Sequence, residues 1–240
     1  MERAQQIVKA VRQALRSEPR IKLDRYPILL SFADGDLVME GELPDIAAKK
    51  LALERGAGIR SVDHIVDRLR VVPAERMGNG QIRDAVCKAL MGEPALESCA
   101  LRQYVKGKWE TIRMPIQAAG VIDFRVDGGV VTLAGDVPGL PHKRLAGVLA
   151  WWVPGSRDVV NGLAVTPPEE DNDEEIADTV RLVLEKDPFV NASQIHIGAR
   201  NSVVTLAGLV PSETERQMAE YDAWYVFGVD NVVNRIAVRA

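Results

Sequence analysis

The chain has 240 residues, 47% of them hydrophobic and 27% charged, with a formal charge of −4. These proportions fit a globular chain and exclude a collagen, a coiled coil or a disordered polymer. The longest apolar run, Leu145 to Val153, is far short of the roughly 20 residues that a spanning helix needs, and two cysteines, Cys87 and Cys99, make no disulfide framework.

In chain order, the first element is a helix with apolar residues at Ile7, Val11, Ala14 and Leu15, stopped by Pro19. A strand follows at 28–32, a turn at Asp34-Gly35, and a second strand at 37–40 that ends on Gly41. Asp-Gly favours a two-residue hairpin, because such turns need positive φ. A second helix comes next. Then Ile65-Val66-Asp67-x-Leu69-x-Val71 alternates as a half-buried strand.

The same series returns twice. The second copy opens with a helix that places Ile82, Val86, Ala89 and Leu90 on one face before Pro94. Strands at 122–126 and 131–134 flank Gly128-Gly129 and end on Gly135, and Val159-Val160-Asn161-x-Leu163-x-Val165 closes the unit. The third copy has Ile176, Val180, Val183 and Leu184 before Pro188, strands at 195–199 and 204–207 around Asn201-Ser202, then Gly208 and Val232-Val233-Asn234-x-Ile236-x-Val238. Ser212 and Glu215 have capping-box spacing. The segments 41–71, 135–165 and 208–238 align without a gap.

Internal repetition outranks length as a guide to architecture. The expected fold is α+β: three tandem α-β-β-α-β units, each a small three-stranded mixed sheet covered on one face by two helices. The third strand returns through a helix, so it should run parallel to the second. The expected divisions are 1–73, 74–167 and 168–240. The middle unit carries about 20 extra residues, near 98–118, with Tyr104, Trp109 and four basic residues. Lys106-Gly107 is read there as the turn of a short hairpin. The third follows a Pro- and acid-rich linker, Thr166 to Glu175, whose acids suit a helix N-terminus.

These residues resemble the BON family, the bacterial osmotic-shock and nodulation module. The likeness rests on Asp127-Gly128-Gly129-Val130-Val131-Thr132-Leu133-Ala134-Gly135, on Val203-Val204-Thr205-Leu206-Ala207-Gly208, and on Gly228-Val229-Asp230-Asn231-Val232-Val233-Asn234. The first repeat departs most, with Met39-Glu40 for Leu-Ala and Ser61 for the late Gly. The resemblance implies a non-enzymatic module, without a cofactor, that binds phospholipid or membrane surfaces in osmotic or envelope stress. A potassium-binding relative adds small-ion sensing as an alternative. Many relatives are exported. Here the N-terminal 20 residues show no apolar leader core, so the expected location is cytoplasmic, with peripheral contact at the inner membrane.

Little else points to chemistry. His64, His142 and His196 fall at three different repeat positions, and neither cysteine has a metal-ligand partner nearby in sequence. No phosphate-loop, dinucleotide or nucleophile-elbow motif occurs. Residues 1–73 and 74–167 each carry a net +2, and 168–240 carries −8. An acidic last third argues against a nucleic-acid partner along the chain and leaves association of unlike ends open. Gly41, Gly135 and Gly208 are read as structural, giving backbone freedom or close approach of a helix.

The second helix of each repeat is more informative. Ala52, Gly56 and Ile59, then Ala146, Ala150 and Val153, then Ala219, Ala223 and Val226 form a small-residue face for the sheet. Away from that face, repeats two and three carry a second apolar stripe: Val148, Trp151 and Trp152, with Tyr221, Trp224 and Tyr225. A helix apolar on two sides is covered on two sides. Four coverings are open: docking between repeats two and three, a homo-oligomer or protein partner, a membrane interface, or extra core beneath the insertion. With Trp109, these residues are the candidate ligand or partner surface, facing phospholipid or a protein partner. A self-assembling or protein-binding scaffold is the alternative from another class.

Overall fold

The computed structural model describes residues 2–239. The chain divides into two compact units, Met1–Val72 and Pro73–Ala240.

The first unit runs α1 (Glu2–Arg16), β1 (Ile28–Ala33), β2 (Asp36–Leu43), α2 (Ile46–Ala57) and β3 (His64–Val71). The sheet order is β1-β2-β3, with β1 antiparallel and β3 parallel to β2. Ile7, Val11 and Leu15 of α1 meet Leu37, Met39 and Leu69 of the sheet and Ala48 and Ala52 of α2 in one core. Leu29, on the other face, is exposed. Asp45 caps α2 by accepting the Ala48 N–H at 2.8 Å.

The second unit contains the series twice. It begins with α3 (Asn79–Met91), a 3-10 turn at Pro94–Leu96, β4 (Cys99–Val105), β5 (Lys108–Arg113), β6 (Gly120–Asp127), β7 (Val130–Val137), α4 (Leu140–Trp151), β8 (Asp158–Asn161) and β9 (Ala164–Val165). It continues with α5 (Asp173–Lys186), a 3-10 turn at Ala192–Gln194, β10 (Ile195–Arg200), β11 (Val203–Val210), α6 (Glu213–Tyr225) and β12 (Asn231–Val238). The order β10-β11-β12 repeats the topology of the first unit.

The middle sheet departs from the expected three strands. It has six, in the path β5-β4-β6-β7-β8 with β9 also on β7. The inserted residues turn back at Lys106-Gly107, both at positive φ, to form the β4–β5 hairpin. β4 then pairs parallel to β6 and widens the sheet. The last strand is split at Gly162.

The three repeat glycines share one contact. Gly41 pairs with Ile28, Gly135 with Ile122 and Gly208 with Ile195. A Cβ at each would strike a carbonyl oxygen of the neighbouring strand's entry, on Pro27, Val121 or Gln194. The close approach is therefore strand against strand, not helix against sheet. Of the Ser212–Glu215 box, half forms. Ser212 Oγ accepts the Glu215 N–H at 3.2 Å, while the Glu215 carboxylate accepts from Asn191 N instead.

Candidate functional site

The second apolar stripe lies inside the second compact unit. α4 packs against both α5 and α6. Val148 and Trp224 have no exposed surface. Trp151 stacks on Tyr225 with ring centroids 5.4 Å apart and planes 15° from parallel. Trp152 donates its indole N–H to Asp222 Oδ1 at 2.7 Å. Tyr221 is half-buried on the same helix. The stripe is thus largely consumed by docking between repeats two and three. Val148 and Trp224 are withdrawn from the candidate surface, because helices of the same unit already cover them.

Polar groups that the apolar pattern did not flag lock this seam. Arg144 is fully buried on α4. Its Nε donates to the Phe227 carbonyl at 3.0 Å, and its guanidinium pairs with Asp171 from the linker. Lys143 lies over the Phe227 ring, 4.2 Å from its centroid, and burial lowers its pKa with help from the Arg144 charge. Lys186 at the end of α5 reaches Glu93 at 3.0 Å. The linker acids therefore do more than complement a helix start. Asp171 holds Arg144. Asp173 accepts backbone N–H groups from Ser202 and Asn201, bonds that hold its pKa below the ordinary value. The signal in the sequence was a charge inside an apolar face: Arg144 beside Leu145 and Ala146, and Asp222 between Tyr221 and Ala223.

Trp109 has a different fate. It is 47% exposed at the start of β5, next to the hairpin turn. Tyr104, 40% exposed, meets its ring edge-on at 5.2 Å. Arg102 lies 5.9 Å from the Trp109 centroid and is held from behind by a two-pronged pair with Asp123, at 2.6 and 2.5 Å. Lys106 and Lys108 are exposed at the tip. Arg113 anchors the base by donating to the carbonyls of Cys99 and Leu96. Met114 and Ile116 follow as exposed apolar side chains. The hairpin thus presents two aromatic rings among cations, with apolar residues beside them.

His64 and His196 lie exposed on strands and His142 half-buried on α4. Among the described residues, no group of three or more His, Cys, Asp or Glu could hold a metal ion. Burial raises the pKa of both cysteine thiols, the opposite of what a reactive thiolate requires. No helix among the described residues is long and apolar enough to cross a membrane.

The BON domain model matches residues 113–167 and 172–240. No curated protein matches the chain. Two solved structures of CdsD, a structural protein of the type III secretion system of Chlamydia trachomatis, are similar at 11% identity. The alignment to its C-terminal domain covers 98% of each chain with a TM-score of 0.26, and that to the second structure covers 98% of this chain and 92% of the other with a TM-score of 0.25.

Proposed function

From the premise that this chain belongs to the BON domain family, we propose a non-enzymatic binding protein of three tandem repeats that docks peripherally on anionic phospholipid through the β4–β5 hairpin. The first compact unit supports the count of three, since its order β1-β2-β3 matches β10-β11-β12 and the β6-β7-β8 part of the middle sheet. A role in osmotic or envelope stress rests on the family alone.

The observation that carries the lipid reading is the exposed hairpin. Trp and Tyr rings prefer the headgroup depth of a bilayer. Each Lys or Arg near an anionic surface adds about 1 kcal/mol of attraction, falling off within a Debye length. Lys106, Lys108 and Arg102 surround Trp109 and Tyr104. The proposed lipid contact is therefore the insertion rather than Trp151 and Trp152, which are engaged with Tyr225 and Asp222.

Co-sedimentation of the full chain with phosphatidylserine–phosphatidylcholine vesicles tests this. The wild type should pellet with the vesicles and be released by salt. Lys106→Glu/Lys108→Glu, which removes two cations and adds two anions, should weaken binding by about a hundredfold or more. Trp109→Ser should weaken it by about tenfold. A wild type that stays in the supernatant overturns the lipid reading. The scaffold alternative is favoured by β5, which among the described residues pairs with β4 alone and so offers an open sheet edge. It is the reading to keep if light scattering of the same non-binding sample gives an oligomer.

A further inference from the structure

Asp222 sits in the seam between repeats two and three with almost no exposed surface. Its Oδ1 accepts the Trp152 indole N–H. Its Oδ2 is buried and receives no N–H or O–H from any described residue. Besides Trp152, a second carboxyl lies within hydrogen-bonding reach of Asp222, that of Asp187, buried at the C-terminal end of α5. Two carboxylates offer each other no donor.

The cations of α4, α5 and α6 have other partners: Lys143 lies over the Phe227 ring, Arg181 pairs with Asp178 and Arg216 with Glu213. Lys186 of α5 pairs with Glu93, beside the 3-10 turn after α3, and Arg144 of α4 pairs with Asp171. On α6, Glu215 accepts from Asn191 N and Glu220 from the Asn234 amide. The Trp152 N–H is the group that α4 contributes to Asp222.

We propose that buried Asp222 keeps a proton beside the Asp187 carboxylate, and that this proton is a structural ligand whose loss loosens the docking of α6 on α4. The protonated Asp222 carboxyl donates to the Asp187 carboxylate, whose Oδ1 also accepts the Phe189 N–H at 2.9 Å. Without the proton, two negative charges face each other in a desolvated seam, where their repulsion is poorly screened. The Trp152 N–H favours the charged form, but burial outweighs it and, with Asp187, moves Asp222 from 3.8 up to about 8. A carboxyl raised on folding stabilises the folded state fully below about pH 4. That stabilisation declines as pH rises and is spent once pH passes about 8.

The test uses the full chain labelled with ¹⁵N. The Trp152 indole resonance, assigned with Trp152→Phe, should titrate with a midpoint about 8. Asp222→Asn, whose amide keeps one acceptor and gains donors, should abolish that titration. Asp187→Asn should move the midpoint down, since the neighbouring charge is gone. Hydrogen exchange in α4 and α6 should be faster in the wild type than in Asp222→Asn at the same pH above the midpoint, and equal below it. A Trp152 signal that does not titrate between about pH 6 and about pH 10 overturns the proton on Asp222. So does an Asp187→Asn midpoint that stays or rises, a result available even if Asp222→Asn fails to fold. Ionisation of Asp222 with no change in exchange overturns the loosening.

Discussion

At Gly135 a single hydrogen stands where a Cβ would overlap the Val121 carbonyl, and the residue has φ of +105°. The obstacle is backbone bonded into a strand ladder, so it cannot rotate away as a long side chain could. Left-handed backbone costs a non-glycine residue about 1–2 kcal/mol and overpacking about 1–3 kcal/mol more. Gly135→Ala should therefore destabilise the second unit by about 3 kcal/mol, measured by urea denaturation. Gly198→Ala is the control, because nothing lies within 4 Å of its Cβ position. That variant should change stability by less than about 1 kcal/mol. The three repeat glycines were legible as structural positions, since each falls at the same place in an ungapped alignment. Their neighbour was not, because strand register depends on how each hairpin closes. The turns themselves were plain at Asp34-Gly35 and Gly128-Gly129. Asn201-Ser202 adopts the same positive φ without a glycine, helped by Asp173 accepting both N–H groups.

Among the elements, every helix and strand of the repeat was legible from periodicity and punctuation. What covers the outer face of α4 and α6 was not. Apolar spacing says that a face is buried and is silent about its occupant, so docking, a partner, a membrane and extra core all fitted the same residues. The discriminating groups are polar ones whose value is visible only in three dimensions: Arg144 on Asp171 and Phe227, and Trp152 on Asp222. Two tryptophans that look alike in sequence should separate by experiment. Trp224, fully buried, should cost about 3–5 kcal/mol when replaced by alanine. Trp109, on the exposed hairpin, should cost less than about 1 kcal/mol, and its loss should be felt in vesicle binding. Thermal melts of Trp224→Ala and Trp109→Ala decide this, and equal losses would mean that the seam is not the tighter of the two environments.

For the whole molecule, the charge division acquires a physical role. The acidic last third sends Asp171 to Arg144 and Lys186 to Glu93, so repeats two and three exchange charge in both directions across one seam. Part of the attraction between unlike segments is thus satisfied within the chain. The six-stranded sheet, the seam and the linker together make Pro73–Ala240 one compact unit built from two copies of the motif. The last copy cut free of its neighbour, 168–240, is about 70 residues long, a size that buries only about 60% of its unfolded surface. Residues 168–240 alone would also lose the Trp152 partner of Asp222. We therefore expect residues 73–240 to melt cooperatively as one fragment, and residues 168–240 to unfold at a lower temperature. Mixing 73–167 with 168–240 should restore much of the difference. Because Arg144 is fully buried, salt should weaken that recombination little. Circular dichroism melts of the three samples at low and high salt measure both effects, and a 168–240 fragment as stable as 73–240 would show that the seam adds nothing to folding.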